Sequence, residues 1–180
     1  MNPSIKIYIT GGSGSGATSL GKSLEKKFGI KLFDTDDFFH KPTDPPFQEQ
    51  YSKIERNSLL RESINPLNSW IVSGSVSTWE MENFNCTHAI FLNPGTDLRI
   101  TRLKKRELER FGSRVETGGD MHTIHLEFIE WAKGYENNAG EGRTFKIELD
   151  FLKAIDKKLL MLDGDLCLKE ILDSSIEFIK

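Results

Sequence analysis

The chain has 180 residues, 37% of them apolar and 28% charged, with a formal net charge of −3. This length supports one domain with its own core, and the slight acidic balance argues against nonspecific nucleic-acid binding. No apolar run approaches the roughly 20 residues needed to span a bilayer, and Met1-Asn2-Pro3-Ser4 leads into a strand pattern rather than a secretory leader. Cys86 and Cys167 are far apart and share no metal-ligand spacing, so a reducing cytoplasm is the expected compartment.

In chain order, residues 5–9 form a β-branched strand pattern that stops at glycines. A helix follows with Ala17, Leu20, Leu24 and Phe28 on one face. Residues 30–33 read as a short strand ending in acids, 41–46 as a proline-rich break, and 47–64 as a helix stopped by Asn65-Pro66. Residues 70–72 and 88–92 are short continuous apolar runs, as expected of buried parallel strands. Pro94-Gly95 turns the chain into a charged helix over 97–111. After a break bearing Gly112, Gly118 and Gly119, a helix over 121–135 follows, then a loop over 137–142 without periodicity. A helix over 145–155, a strand over 159–162 and a helix over 166–179 complete the pattern. Alternating strand and helix predicts an α/β fold, with a five-stranded parallel sheet and helices on both faces. Ligands of such sheets bind at the carboxyl ends of the strands.

Gly11-Gly12-Ser13-Gly14-Ser15-Gly16-Ala17-Thr18 joins the first strand to the first helix, with Ser19 next. In that context glycines point backbone N–H groups inward as an anion nest, and the helix dipole adds to it. A literal G-x-x-x-x-G-K-[ST] match instead covers Gly16 to Ser23. It is rejected because it wraps Leu20 around phosphate and removes Ala17 and Leu20 from the apolar stripe. In the earlier register the usual lysine position is Ala17, while Thr18 remains a Mg²⁺ ligand. Lys22, five helical residues further on, lies about 140° around the axis and about 7.5 Å along it. Another cation must therefore supply the missing charge.

With this loop, the chain resembles P-loop kinases of the adenylate kinase and shikimate kinase type over most of its length. More narrowly, it resembles small bacterial adenylate-kinase-like ATP-binding proteins that lack the usual P-loop lysine. Arg110-Phe111-Gly112-Ser113-Arg114, Gly118-Gly119-Asp120-Met121, and then Phe128, Trp131 and Tyr135 carry that narrower likeness. The resemblance implies a three-layer P-loop NTPase fold with a helical lid. One domain would span 1–180, with an acceptor-binding insertion at about 36–66 and a lid at about 106–143.

It also implies Mg²⁺ and ATP as cofactors, the nucleotide held by Gly11, Gly12, Ser13, Gly14, Ser15, Gly16, Ala17, Thr18 and Ser19. Asp34 and Asp36 match a D-x-D that serves the metal and an acceptor hydroxyl: Thr18 and Asp34 toward the metal, Asp34 and Asp36 in catalysis, Asp36 also toward substrate. The alternative for Asp36 or Asp37 is a cap on the next turn. Gly74 matches the substrate-facing glycines that follow the third strand, where no Walker B acid is present. Arg102 and Arg106 resemble a lid-entrance pair, the first on adenine and the second on phosphate. Arg110 and Arg114 are expected to act catalytically by replacing the charge absent at Ala17, and Arg143 to face substrate. A solvated charged helix remains the alternative for Arg106, Arg110 and Arg114. Phe38, Phe39 and Phe47 fit either the core or the wall of an acceptor pocket. His122 and His125 stand at i, i+3 without a third metal ligand.

The implied activity is transfer of the γ-phosphoryl group of Mg·ATP to a nucleoside, a nucleotide or another small hydroxylated acceptor. A nucleotide-binding regulator and a slow nucleoside triphosphatase are the alternatives. The expected partners are therefore a nucleoside triphosphate and a small molecule, without nucleic acid or membrane.

Overall fold

In the computed structural model, which describes residues 4–81, 84–138 and 142–180, the buried apolar runs become the centre of a parallel sheet. The strands are β1 (Lys6–Thr10), β2 (Leu32–Asp34), β3 (Trp70–Ser73), β4 (His88–Leu92) and β5 (Lys158–Leu162), in the order β2-β3-β1-β4-β5. Every pairing is parallel, with Ile7 opposite Ile71 on one side and His88 on the other. The helices are α1 (Ala17–Phe28), α2 (Asp36–Phe39), α3 (Lys53–Ile64), α4 (Thr96–Phe111), α5 (His122–Lys133), α6 (Phe145–Ala154) and α7 (Leu168–Ile179), with a 3₁₀ turn at Gly112–Val115.

Strand alternation sorts the core into two layers. Ile7, Ile9, Ile71, Ile90 and Leu92 face Leu20 and Leu24 of α1 and Ile171 and Ile179 of α7. Tyr8, Val72, Ala89 and Phe91 face Leu60 and Ile64 of α3, Leu152 of α6, and Trp79. Helices thus cover both faces, as a parallel sheet requires. The α4–α5 pair stands apart, with a small core of its own made by Ile100, Leu103, Ile129 and Ala132.

Several boundaries differ from the sequence expectation. The helix expected from residue 47 begins only at Lys53, because Ser52 and Glu55 form a reciprocal capping box: Glu55 N–H donates to Ser52 Oγ (3.3 Å) and Ser52 N–H to Glu55 Oε2 (2.8 Å). Upstream, the backbone is held by a His40–Gln50 bridge and by Tyr51 N–H donating to the Phe39 carbonyl. The short strand β2 starts at Leu32 rather than Ile30, and α7 starts at Leu168 rather than Leu166. The readings at Met1–Pro3 and at 139–141 of the loop lie outside the described residues. No helix among the described residues is long and apolar enough to cross a membrane.

Leu20 is fully buried against the sheet, which a leucine wrapped around phosphate would not be. Leu20→Ala is therefore expected to cost about 2–5 kcal/mol by equilibrium urea unfolding; a change within experimental error would show that this residue does not anchor α1.

Candidate active site

At the carboxyl end of β1 the chain turns through residues 11–16 and enters α1 at Ala17. Gly16 serves as N-cap at φ 99°, no side chain caps the helix, and no acid stands in its first turn. The positive end of α1 is therefore left for an external anion. This start at Ala17 agrees with the register that puts Ala17 at the lysine position. Close packing explains part of the glycine content: a Cβ at Gly14 would lie 2.6 Å from the Arg99 carbonyl oxygen, whereas Gly16 has nothing within 4 Å of its Cβ position.

Two buried charged groups support the loop from behind. Arg99, fully buried, donates to the carbonyls of Ser13 (3.1 Å) and Ala132 (3.3 Å), and its guanidinium lies 5.0 Å from the Tyr135 ring centroid. Glu148, also fully buried, accepts from Thr10 Oγ1 (3.1 Å), Tyr135 Oη (2.9 Å) and Arg143 Nε (2.6 Å). Arg143 in turn donates to the Gly11 carbonyl. Burial opposes the Arg143 charge, but Glu148 and Tyr135 beside it outweigh this and hold its pKa above the usual guanidinium value. Burial and Glu148 push the Tyr135 phenol far upward, so it stays a proton donor.

In front of the loop lies a cleft of about 770 Å³, within the usual range for small-molecule sites. The phosphate loop through Ser19, Asp34, Asp36 and Gly74 line one end of it. Thr18 Oγ1 donates to Asp34 Oδ2 (2.9 Å), and Asp36 N–H donates to Asp34 Oδ1 (3.1 Å). Burial, followed by the neighbouring Asp36, raises the Asp34 pKa. Asp36 is exposed and stands in the first turn of α2, where Thr35 is the N-cap and no side chain caps the helix. Gly74, at φ 105°, has no room for a Cβ because Thr35 Oγ1 occupies the space. Its need for glycine comes from this packing as much as from its place on the cleft wall.

The cations expected to meet phosphate divide into two groups. Arg102 lines the cleft but donates to the carbonyls of Ser15 (3.4 Å) and Gly164 (3.0 Å). Arg106 also lines it and pairs with Glu107 (3.0 Å). Arg143 also lines the cleft, while its guanidinium is held by Glu148 and by the Gly11 carbonyl at the base of the loop. Arg114 is absent from the cleft lining: it pairs with Asp120 (2.7 Å) and Asp44 (2.8 Å), which hold its pKa above the ordinary value. The side chains of Arg110 and Lys22 line the cleft and make no hydrogen bond or ion pair among the described residues.

Phe39, His40, Phe47 and Trp79 also line the cleft, as do Phe128 and Trp131 of α5, whose rings stack at 6.0 Å. Phe39 and Phe47 thus line the wall, Phe39 packs against the core as well, and Phe38 packs against the core alone. Behind Phe39 and Trp79 lies Arg56, 7% exposed, with its guanidinium 4.6 and 5.3 Å from their ring centroids. His40 and His125 each have a buried Nδ1 without a partner, and His122 instead contacts the Val115 carbonyl (3.0 Å).

Arg56, Arg99, Glu107 and Glu148 were not assigned a role from the sequence, yet all carried one signal. Each falls on an apolar helical stripe: Arg56 with Leu60 and Ile64, Arg99 with Leu103 and Glu107, Glu148 with Leu152. A charge on a buried stripe is there because something nearby needs it.

Two outcomes follow from these contacts. Glu148→Ala leaves the partly buried Arg143 guanidinium and the Tyr135 hydroxyl without their carboxylate partner and is expected to cost about 3 kcal/mol, read by chemical denaturation. Asp34→Asn is expected to raise the thermal midpoint of the ligand-free protein at neutral pH. The folded pKa of Asp34 lies above its unfolded value, so its ionised form destabilises the fold most fully above the folded pKa. The gain should shrink as pH falls through that value and vanish below the unfolded pKa; a gain independent of pH would contradict this origin.

No family model matches the chain. Over 175 residues it is 29% identical to Uncharacterized protein YqaC of Bacillus subtilis (strain 168), covering 96% of each chain. It is 30% identical over 118 residues to a shikimate kinase of Bacteroides thetaiotaomicron, covering 59% of this chain and 67% of that one. Among solved structures, deoxyadenosine kinase from M. mycoides with bound dATP superposes with a TM-score of 0.60 at 16% identity, covering 96% of this chain and 98% of that one. At such identity the superposition speaks for the fold alone. A glycine loop leading into an uncapped helix, on a parallel sheet of order 2-3-1-4-5, with these relatives beside it, makes the chain a member of the P-loop kinase-like proteins of the three-layer α/β P-loop NTPase fold.

Proposed function

We propose that the protein is a small-molecule kinase that transfers the γ-phosphoryl group of Mg·ATP to a hydroxyl of a planar, nucleoside-like or nucleotide-like acceptor. The observation that carries this reading is that one cleft is lined both by the uncapped start of α1 and by the aromatic rings of Phe39, Phe47 and Trp79. Residues 11–19 supply backbone N–H groups and the helix dipole to the phosphates. Thr18 Oγ1 and Asp34 Oδ2, 2.9 Å apart, offer the hydroxyl and carboxylate oxygens that a hard cation prefers. When bound, Mg²⁺ would neutralise charge on the β- and γ-phosphate oxygens.

Asp36, exposed on the cleft lining, is the carboxylate to accept the proton of an acceptor hydroxyl as that oxygen bonds to phosphorus. The edges of Arg102 are committed to carbonyls, so its remaining contribution is the planar face, suited to a base. Arg106, balanced by Glu107, serves the nucleotide side. Arg110, unpaired and facing the cleft, supplies the charge absent at Ala17. Phe39, Phe47 and Trp79 favour a flat acceptor over a compact sugar acid, since stacking rewards extended π surface. On this reading residues 36–66 form the acceptor side and residues 106–143 the lid.

ADP release, coupled to a dye reaction and measured against a panel of nucleosides, nucleotides and hydroxylated metabolites, tests the assignment. Release that requires a nucleoside or nucleotide is the expected result. Release with ATP alone would identify a triphosphatase, and tight ATP binding without release a regulator. Arg110→Ala is expected to lower turnover at least about tenfold with an unchanged thermal midpoint; full retention of turnover would move the compensating charge to Lys22.

A further inference from the structure

The sequence pairs Arg110–Arg114 with Gly118–Met121, and nothing in the proposed chemistry uses Arg114. Its contacts instead join the two segments that bring Phe47 and Arg110 to the cleft lining. Arg114 Nη2 donates to Asp44 Oδ1 (2.8 Å), 70 residues away on the proline-rich turn, and to Asp120 Oδ2 (2.7 Å); its Nε donates to Asp120 Oδ1 (2.9 Å). The Gly118–Met121 turn is shaped around this arginine: Met121 N–H donates to the Arg114 carbonyl (2.9 Å), and a Cβ at Gly119 would collide with that same carbonyl.

A second contact joins the same two segments. Phe47 meets Phe111 edge-on, ring centroids 6.0 Å apart, and meets His40 at 4.8 Å. Phe47 is held at φ 71°, a left-handed backbone conformation that is strained for an aromatic residue. Its turn is tied internally, Thr43 Oγ1 donating to the Pro45 carbonyl (2.8 Å) and accepting from Gln48 N–H (3.3 Å). The strained turn thus presents Asp44 to Arg114 and Phe47 to Phe111, and Phe111 directly follows Arg110.

We propose that Asp44 is a positioning residue: through Arg114 it clasps the acceptor-side turn to the end of α4, so that the placing of Arg110 depends on the state of the acceptor side. The clasp is built to release. The Asp44 and Asp120 side chains are 83% and 52% exposed, and a pair so open to water yields readily, where a buried pair would not. An acceptor entering against Phe47 and His40 presses on the same turn that carries Asp44. The consequence for turnover rests on the kinase reading; the mechanical link between the segments does not.

Hydrogen exchange read by mass spectrometry on the ligand-free protein tests the link. Asp44→Asn is expected to speed exchange by about threefold or more in both 41–51 and 110–121, with little change in thermal midpoint. Asp44→Glu is expected to restore protection in part. Asp120→Asn, which removes a partner within the α4–α5 arm only, is expected to loosen 110–121 and spare 41–51. The proposal is overturned if Asp44→Asn leaves 110–121 unchanged, or if the two variants give the same pattern. The same samples are then mixed with Mg·ATP, and its dissociation is followed by the fluorescence of Trp79 and Trp131, which line the cleft. Faster dissociation from Asp44→Asn is expected, and equal rates would sever the clasp from the nucleotide. Coupled exchange in a protein that does not bind ATP at all would uphold the clasp and reject the kinase reading.

Discussion

The phosphate loop has almost no side chains with which to hold itself in shape, and its geometry depends on one buried carboxylate. Glu148 gathers Thr10 from the end of β1, Tyr135 from beyond α5, and Arg143, which reaches the Gly11 carbonyl. Desolvating a carboxylate is costly unless its oxygens are well supplied with donors, and Glu148 accepts from three. The last strand residue before the loop, the loop's first carbonyl and the helix that follows residue 143 are thereby locked to one another. Arg99 does the same for Ser13 from the α4 side.

This arrangement changes what the positive charge around the cleft means. A count of arginines along α4 and beyond suggests a surplus aimed at phosphate, but most of that charge is already committed inside the protein. Arg99 and Arg143 hold the loop, Arg102 bridges two loop carbonyls, and Arg114 spans the carboxylates of Asp44 and Asp120. A guanidinium whose donors are satisfied by the protein has less to offer a ligand than an unpaired one. The net charge of −3 is likewise an average over segregated groups, with Asp34, Asp36 and Asp37 clustered at the end of β2.

The sheet and its order of strands and helices were legible because buried parallel strands read as unbroken apolar runs and α1 carries a clean stripe. The phosphate-loop register was legible for the same reason, since only one choice keeps Leu20 in the core. The start of α3 was misjudged although Ser52 and Glu55 spelled its cap, because aromatic and polar residues before it obscure any period. The partners of Arg114 and Arg143 were illegible: 70 residues separate Arg114 from Asp44, and 132 separate Arg143 from Gly11. No local pattern reports contacts at such range.

By itself, then, the sequence determined the alternation of elements, the glycine loop that leads into α1 at Ala17, and the acids after the second strand, since each depends on neighbours within a few positions. Only the tertiary structure decided which charges face the cleft and which are spent inside the protein. The position of a guanidinium among carbonyls and carboxylates depends on how α4, α6 and the proline-rich turn pack together, and burial makes each of those choices binding.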